Sequence, residues 1–417
     1  MTHSARSATA PRRRHGNWLP ADEAALAAFR AGIDAHARRR RPGTTLPPAV
    51  RHLQRTIEDD PSLRMNLTLA IEQALAAGYQ LGYADIGQLM ERIDVLMTYA
   101  PPFDTTALVG CPLNALLDWP MCMPAGFTLF QSPKLNAALK GVLDHWSQFL
   151  GSPQSRQWLT TDSPQGWFSP EAARHVDMGL YVCDPGKPHW GFQSWNDFFT
   201  RRFKEGARPV AAPGDPAIVV NACESTPYNL QSGVKLTDAF WIKTQPYSLR
   251  DIFTPARADL AGHFVGGTVY QAFLSAYCYH RWHAPVGGTV TDAYLVPGTY
   301  YADAPSAGLD LAGPNGSQGY ITAMATRAII VIDTGVAGLG KVACVFVGMA
   351  EVSSCVVGIA VGDTVAKGDE IGLFQYGGST HCLIFEAQTD IAFVTDKPFA
   401  EGAPPLALGS QLATVRL

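Results

Sequence analysis

The amino-acid sequence predicts an α+β fold, in which a helical N-terminal domain precedes a mostly β, sandwich-like or barrel-like domain. Apolar residues recur at helical spacing in the first 150 residues, whereas the chain after Pro209 has short segments of alternating apolar and polar residues. Hydrophobic residues make up 47% of the chain and charged residues 16%, which is typical of a globular protein with a sizeable core.

The predicted helices lie between breaks of proline and glycine. An alanine-rich segment over residues 21–40 ends in arginines, which suit the negative end of a helix dipole. Apolar stripes at helical spacing occupy three further segments, residues 62–77, 84–99 and 136–150. Residues 1–16 are small, polar and arginine-rich, so we predict a disordered tail there. The predicted domains are then residues 17–155 and 156–417.

The second domain is predicted to consist mainly of short strands. They are expected over residues 286–296, 328–333, 342–347 and 383–394. The turn residues at 367–369 lie between Val365 and Ile371, which predicts a hairpin with one strand on each side.

The composition argues against several classes of function. A net charge of −4 and no long basic stripe give little support for nucleic-acid binding. The eight cysteines form no CxxC pair, so a zinc site is not expected, and scattered thiols suit a reducing cytoplasm. No apolar run reaches the roughly 18–20 residues that span a bilayer, so a membrane protein is not expected.

Residues 362–380 include the segment with the most specific chemistry. A strand predicted over residues 371–376 ends at two glycines, directly before Ser379. Glycine adopts backbone conformations that other residues avoid, so a tight turn can bring the Ser379 hydroxyl against the carbonyl of Gly378. Attack on that carbonyl converts the amide to an ester, and β-elimination then releases the upstream chain. Hydrolysis of the dehydroalanine leaves a pyruvoyl group and ammonia, although the segment also fits an ordinary glycine turn.

Two other segments contain candidate acid–base residues. His280 and His283 lie between two predicted strands, and histidine is the usual proton-transfer residue near neutral pH. No third ligand has the spacing of a metal site. Glu224 follows an apolar strand and precedes a turn, where its carboxylate could orient a histidine. Each residue taken alone also fits an ordinary structural position.

Together these segments resemble the phosphatidylserine decarboxylases, which are pyruvoyl enzymes. GGST at residues 377–380, preceded by KGDEIG at 367–372, is similar to the processing site of that family. YHRWHAP at residues 279–285 is similar to its histidine motif. WNDFFTRRF at residues 195–203, followed by GARP, resembles the helix that opens its catalytic domain. The likeness runs from about residue 192 to residue 387.

The resemblance implies a role for each residue. The chain is expected to cut itself between Gly378 and Ser379, with Ser379 as nucleophile and as precursor of a covalent pyruvoyl cofactor. No pyridoxal phosphate is then needed. His283 is implied as the base for cleavage and His280 as the proton donor in decarboxylation. Glu224 stands where the family usually has an aspartate, and its additional methylene changes the reach of the carboxylate.

Pocket candidates lie on both sides of the cleavage site. The rings of Phe374 and Tyr376 could line an indole pocket, although strand spacing also fits core positions. Gly377 and Thr380 flank the cleaved bond. His381 replaces the aliphatic residue that is usual in the family, so it is a candidate for the pocket or for a strand edge.

The layout of the chain suggests the substrate. A membrane decarboxylase needs a hydrophobic span or a basic amphipathic helix, and neither is evident. The helical region, with GWFSP at residues 166–170 at its junction, resembles a soluble branch of the family in which some members decarboxylate free aromatic amino acids. We therefore expect a small-molecule substrate, L-tryptophan first, with phosphatidylserine as the alternative. The sequence does not predict the oligomeric state.

Two other classes of function remain open from the sequence. A serine hydrolase could use Ser379, His283 and Glu224, but no Gly-x-Ser-x-Gly elbow surrounds the serine. A non-catalytic carrier module could modify Lys367, because residues 362–372 resemble a lipoyl-type hairpin. That second interpretation leaves the two histidines and the GGST segment without a role.

Overall fold

The computed structural model describes residues 23–38, 45–104, 111–237, 247–275, 277–302, 317–351, 354–376, 379–395 and 404–417. The predicted tail at residues 1–16 lies outside these ranges, as do Gly377 and Gly378. Within the described ranges, helices dominate the first part of the chain and antiparallel strands the second. The predicted α+β class is therefore confirmed. The domain boundary between residues 155 and 156 stays a prediction.

Seven α-helices lie in the described residues before residue 151. They are α1 (Glu23–Arg38), α2 (Pro48–Glu58), α3 (Pro61–Ala76), α4 (Ile86–Leu96), α5 (Pro112–Met121), α6 (Pro124–Phe130) and α7 (Pro133–Leu150). Five of them carry proline in the first turn, where a missing N–H costs nothing. The predicted segments at 62–77, 84–99 and 136–150 correspond to α3, α4 and α7.

Short helices and strands make up the rest of the described chain. The helices are α8 (Trp195–Phe199), α9 (Leu249–Phe253), α10 (Ala258–His263) and α11 (Gln318–Met324). The strands are β1 (Ile218–Val220), β2 (Thr226–Ser232), β3 (Thr268–Leu274), β4 (Arg281–His283), β5 (Gly288–Val296), β6 (Arg327–Asp333), β7 (Lys341–Gly348), β8 (Ser354–Val357), β9 (Thr364–Val365), β10 (Glu370–Gln375), β11 (Ser379–Phe385), β12 (Ile391–Phe393) and β13 (Gln411–Val415).

The strands form one large sheet and two small ones in the part described. The large sheet has the order β2-β3-β11-β7-β6-β5-β9, and the small sheets have the orders β4-β10-β8 and β1-β13-β12. Every residue of β11 is buried, as is almost all of β6 and β7, so the centre of the large sheet is covered on both faces. Such strands read as continuous apolar runs, which explains why the sequence identifies them.

The two faces of the large sheet belong to two different cores. Cys382 and Ile384 of β11 pack in a core shared with the helices of the first part of the chain. Leu383 and Phe385 point the other way, into a core that includes Trp282 of the β4-β10-β8 sheet. The helical region therefore packs on one face and the small sheet on the other, which is the layered arrangement of a sandwich.

The hairpin predicted around residues 367–369 is wrong. β9 pairs with β5 in the large sheet, whereas β10 pairs with β4 and β8 in a small sheet. The turn itself forms, with the N–H of Asp369 donating to the carbonyl of Ala366 at 3.1 Å and with Gly368 at φ +90°. The turn residues therefore predict the change of chain direction correctly. The two strands that flank the turn lie in different sheets, however, so they do not pair as a hairpin. The segment predicted as one strand over residues 383–394 is also two strands, β11 and β12.

None of the described helices is long and apolar enough to cross a membrane. None of the eight cysteines forms a disulfide. Among the described residues, no group of three or more histidine, cysteine, aspartate or glutamate side chains is placed to hold a metal ion.

Candidate active site

Ser379 is the first residue of the central strand β11. Its Cα lies opposite Leu274 of β3 on one side and Gly348 of β7 on the other. The side chain is fully buried, and its hydroxyl makes no hydrogen bond with any described residue. Leaving a buried hydroxyl unpaired costs about 1–3 kcal/mol, so the described residues do not offset the burial of this group.

The strand alternation gives the two residues after the expected cleavage site, Ser379 and Thr380, opposite orientations. Ser379 and His381 lie on the face that also carries Leu383, between the large sheet and the β4-β10-β8 sheet. Thr380 lies on the other face, where its hydroxyl donates to the carbonyl of Ala272 at 3.0 Å and accepts from Nε2 of Gln271 at 3.0 Å. Thr380 therefore anchors the start of β11 from the face opposite Ser379.

His283 ends strand β4 and is held through both ring nitrogens. Nδ1 lies 2.6 Å from the carbonyl oxygen of Gly368, and Nε2 lies 3.1 Å from the hydroxyl of Tyr279. A carbonyl can only accept, so Nδ1 carries the proton and the lone pair sits on Nε2, where Tyr279 donates to it. Burial lowers the pKa of His283, which keeps the ring neutral and able to accept a proton.

His280 lies immediately before β4 and is fully buried. Its ring stacks on Phe199 of α8, with centroids 3.9 Å apart and an interplanar angle of 18°. Burial, helped by the charge of Arg201, lowers its pKa well below the usual value. Phe199 also contacts the ring of Tyr376 at 6.0 Å, so His280, α8 and the end of β10 meet at this point, whereas His283 is the register partner of Glu370 at the start of β10.

Glu224 does not make the histidine contact that its position suggests. Its carboxylate accepts from Nε and Nη2 of Arg208 at 3.1 and 2.5 Å and from the N–H of Leu408 at 2.7 Å. The described partners of His283 are Gly368 and Tyr279 instead. The reason is that the GARP segment brings a guanidinium, which matches a carboxylate in bidentate geometry, to the same place. The expected orienting contact is thus corrected, whereas a role of Glu224 in processing stays a prediction.

The remaining pocket candidates occupy two kinds of position, either in the core between the sheets or facing the helical region. Phe374 lies in the core, edge-on to Trp282 at 4.7 Å. His381 lies between Tyr270 and Phe346 at 6.1 and 6.3 Å, and burial lowers its pKa to about 3. Tyr376 faces the helical region instead, as described below, while Gly377 lies outside the described residues.

The helical region covers the end of the sheet at which β11 begins. Tyr376 packs on Trp146 of α7 at 6.0 Å, and its hydroxyl donates to the carbonyl of Ser147 at 3.3 Å. The hydroxyl of Tyr277 donates to the carbonyl of Asp104. The N–H of Tyr300 donates to Oδ1 of Asn136, on α7, at 3.1 Å. Three contacts from three segments therefore close the helices over the strand ends beside Ser379.

One acidic residue at this end of the sheet was not identified from the sequence. Glu351 follows β7 and is fully buried, with Oε1 accepting from the N–H of Asn114 at 2.7 Å. Burial raises its pKa to about 7. In the sequence, Glu351 directly follows an apolar run over residues 342–350. That pattern more simply indicates a strand that ends at the solvent-exposed surface, so it does not predict a buried carboxylate.

The other two classes of function find little support in the site. Glu224 is held by Arg208 away from the described partners of His283, so the described residues do not form a Ser-His-Glu triad. Lys367 is mostly buried, and its ammonium donates to the carbonyls of Ala212 and Asp215 at 2.8 and 2.6 Å. A carrier lysine has to reach a modifying enzyme, and this one is tied to the protein's own backbone.

Comparison with known families agrees with this arrangement of motifs. The sequence model described as phosphatidylserine decarboxylase matches residues 195–402, which contain Ser379 and both histidines. A second phosphatidylserine decarboxylase model matches residues 47–176, in the helical region. The chain belongs to the phosphatidylserine decarboxylase family, and it is a decarboxylase, that is, a carboxy-lyase.

Curated relatives match both parts of the chain. A protein named decarboxylase iboD, from Amanita muscaria, is 40% identical over 69% of this chain and 87% of its own length. An L-tryptophan decarboxylase from Psilocybe cubensis is 30% identical over 89% of this chain and 88% of its own. A phosphatidylserine decarboxylase proenzyme from Schizosaccharomyces pombe is 34% identical, over 51% of this chain and 21% of its own. The likeness to the Psilocybe cubensis protein covers enough of this chain to include most of the helical region.

Proposed function

We propose that this protein is a pyruvoyl-dependent decarboxylase of a free L-amino acid, most specifically of L-tryptophan, which it converts to tryptamine. The single observation that carries the proposal is the position of Ser379. Its buried, unbonded hydroxyl begins the central strand, at the sheet end that the helical region covers. The cover over this end of the sheet shields Ser379 from bulk water. The cytoplasm stays the predicted location.

Processing needs a nucleophile and a base, and Ser379 and His283 are the candidates. In the proposed reaction, Oγ of Ser379 attacks the carbonyl carbon of Gly378 while a base takes the hydroxyl proton, and the C–N bond breaks to give an ester. Loss of the Cα proton of residue 379 then breaks the Cβ–O bond, which releases Gly378 as a carboxylate and leaves dehydroalanine. Water converts that residue to a pyruvoyl group and ammonia. The lone pair on Nε2 of His283, shared with Tyr279, is suited to accept these protons.

Decarboxylation places different demands on the surrounding residues. The pyruvoyl group supplies an electron sink for the bond to the departing carbon dioxide. The chain supplies a dry site and a proton. His280, buried against Phe199, is the proposed group that delivers a proton to the substrate carbon, and Tyr376 closes the site towards α7. Thr380 keeps the start of β11 fixed during both reactions.

A free amino acid fits the covered site better than a lipid does. Two acyl chains have to remain in a bilayer, whereas the contacts of Tyr376, Tyr277 and Tyr300 place helices over the strand ends. The relatives that align with this helical region include two that are named L-tryptophan decarboxylase. Phosphatidylserine is the second candidate substrate, because the family model over residues 195–402 carries that name.

A direct assay separates the two substrates. Purified protein is incubated with L-tryptophan and, separately, with dispersed phosphatidylserine, and tryptamine and phosphatidylethanolamine are measured by mass spectrometry. We expect tryptamine from the wild-type chain and none from Ser379→Ala. The matched control Ser232→Ala, at an exposed position on β2, should behave as wild type. Product from the lipid alone would reject the amino-acid substrate.

A further inference from the structure

A buried chain of side-chain hydrogen bonds ends at the residue that follows Ser379. Gln271 lies in the middle of β3, Thr380 is the second residue of β11 and Tyr247 precedes α9. These three side chains and that of Thr322, on α11, are at most 1% exposed. Because buried polar groups need partners, the four side chains depend on one another for their hydrogen bonds.

The amide of Gln271 is held in one of its two possible orientations. The hydroxyl of Tyr247 donates to Oε1 of Gln271 at 2.6 Å and accepts from Nδ2 of Asn229 at 3.0 Å. Burial raises the pKa of Tyr247 well above its usual value, so the hydroxyl keeps the proton that it donates. With Oε1 facing this donor, Nε2 of Gln271 lies on the other side of the amide, where it can only donate.

The amide nitrogen of Gln271 donates to two threonine hydroxyls. Nε2 lies 3.0 Å from Oγ1 of Thr380 and 2.9 Å from Oγ1 of Thr322, and its contact with the carbonyl oxygen of Gln318 is longer, at 3.4 Å. The hydroxyl of Thr380 in turn donates to the carbonyl of Ala272 at 3.0 Å, and that of Thr322 donates to the carbonyl of Gln318 at 2.8 Å. The side chain of Thr380 is therefore fixed both as an acceptor and as a donor.

Thr380 would become the first complete side chain of the smaller fragment after self-cleavage. Conversion of Ser379 to a pyruvoyl group removes its hydroxyl, its N–H and its covalent link to Gly378. Chain ends are poorly ordered unless they are tied down, so the new end needs a fixed point close by. The side chain of Thr380 offers one from the face opposite Ser379, in addition to the pairing of β11 with β3 and β7.

We infer that Gln271 is a positioning residue of the decarboxylase, which by donating to Thr380 holds the pyruvoyl group at the start of β11 in the place where it reacts. This inference rests on the proposed function and deepens it. Gln271 acts on the reacting group through Thr380 and not by contact with the substrate. A misplacement of about 1 Å can cost about 100-fold in rate, so a loss of this hydrogen bond should appear mainly in kcat.

The bond can be broken from either side. Gln271→Met and Thr380→Val each remove one partner with little change in volume, and each should lower kcat for L-tryptophan about ten-fold or more, counted per cut chain. Thr380→Ser keeps the hydroxyl and should retain most of the wild-type kcat. If Gln271 acts through Thr380, the double variant should have the kcat of Thr380→Val alone. Additive losses in the double variant overturn the inference.

Thr322→Val distinguishes positioning from a general loss of stability. It removes the other acceptor of the same amide, but Thr322 lies on α11 and its contact with β11 is two residues further along, with Sγ of Cys382 at 4.0 Å. Thr322→Val and Thr380→Val should lower the Tm by similar amounts, because each leaves a buried N–H without its acceptor. Thr322→Val should lower kcat much less. Equal losses of kcat in the two variants overturn the inference, because they would show that the hydrogen bonds only stabilise the fold.

A second measurement does not depend on the substrate. Hydroxylamine condenses with the ketone of a pyruvoyl group to give an oxime and water, and the intact mass of the smaller fragment follows the reaction. Ser379 is fully buried, so a displaced chain end should be more accessible to the reagent. Gln271→Met and Thr380→Val should therefore react faster than the wild type and Thr380→Ser. Equal or slower rates overturn the inference, as does a folded Gln271→Met chain that stays uncut.

These measurements separate the inference from the proposed function. A wild-type chain that is cut but makes no tryptamine fails the proposed substrate, while the rates with hydroxylamine still decide the inference. A wild-type chain that is never cut fails the proposed function and the inference with it. If Gln271→Met does not fold, Tyr247→Phe replaces it, because the amide is then free to turn its oxygen towards Thr380 and kcat should fall in the same way.

Discussion

At the scale of single residues, His283 is the proposed base for self-cleavage, so its protonation state should set the rate of that reaction. Its half-buried ring is a neutral base with the lone pair on Nε2, and its pKa is lowered from the usual value of about 6.5. A base with a lowered pKa stays unprotonated as the pH falls and is lost only below its folded-state value. We therefore expect the rate of self-cleavage to be constant between pH 8 and pH 6.5. The rate at each pH is measured from the loss of uncut chain on denaturing gels, in a time course that starts from freshly translated protein.

The control for this prediction is a pair of histidine variants. His283→Ala should slow cleavage by about 100-fold or more, the usual contribution of a general base, while His52→Ala, at an exposed position on α2, should not. A cleavage rate that falls with a midpoint at or above pH 6.5, or a normal rate in His283→Ala, contradicts the assignment of the base.

Glu224 and Arg208 form a mostly shielded ion pair, with side chains 10% and 20% exposed. Removing one partner of such a pair leaves the other charge poorly compensated, and for fully buried pairs this costs about 3–5 kcal/mol. Because this pair is partly exposed, the cost should be smaller. We expect Glu224→Ala to lower the free energy of unfolding by about 2 kcal/mol and the Tm by a few degrees. Thermal unfolding followed by circular dichroism measures the shift.

The matched comparison for Glu224 is a surface pair on α7. Asp144→Ala removes the partner of Lys140, where both side chains are about half exposed, and should change the Tm very little. Equal shifts in the two variants would show that the Arg208 contact contributes no more than an ordinary surface pair.

At the scale of elements, β10 depends on one glycine where it passes Trp282. A Cβ added at Gly372 would lie 2.5 Å from Cε3 of Trp282 and 2.5 Å from the carbonyl oxygen of Val356, so the strand would have to move. We expect Gly372→Ala to destabilise the protein by about 1–3 kcal/mol. A lower Tm with intact helical circular dichroism is the expected signature.

Gly141 on α7 is the control, because a Cβ there meets nothing within 4 Å. Helix propensity predicts that Gly141→Ala stabilises the chain, by up to about 1 kcal/mol. Changes of opposite sign at the two glycines support the packing described for β10, whereas a neutral Gly372→Ala contradicts it.

The elements that the sequence predicts are those with a long apolar period or a continuous apolar run. α3, α4 and α7 have an amphipathic stripe, and β6, β7 and β11 are buried on both faces. α5 was not predicted individually because all ten of its residues are buried, so it has no polar face to reveal a period. The hairpin at residues 367–369 was wrong because turn chemistry specifies a local bend and not the partner of each strand.

The candidate site shows the same limit. Ser379, His280 and His283 lie in short segments with a distinctive order of residues. Serine after two glycines and paired histidines each indicate a particular chemistry, so the sequence identifies these residues. The partner of Glu224 is a guanidinium 16 positions away along the chain, and the partner of Glu351 is a backbone N–H 237 positions away. Such pairings arise from tertiary packing, which residue spacing does not encode.

At the scale of the whole molecule, the proposed cleavage site lies directly before a central strand of the large sheet. If the chain is cut after Gly378, the smaller fragment keeps β11, which pairs with β3 and β7 over all seven of its residues, and β13, which pairs with β1. We therefore expect the two fragments to stay together until the protein unfolds. Native mass spectrometry should give a mass that contains both fragments, whereas a denaturing gel should give two bands. Separation of the fragments under native conditions would contradict the sheet order.

The most direct test of the central claim is the intact mass of the purified protein under denaturing conditions. Self-processing predicts two fragments: residues 1–378, ending in an ordinary carboxylate, and a C-terminal piece that begins with a pyruvoyl group in place of Ser379 and is blocked to Edman degradation. Ser379→Ala should give one chain. A wild-type chain that keeps its full mass of 44.9 kDa after prolonged incubation would contradict the account, because a decarboxylase of this kind has no cofactor until it is cut.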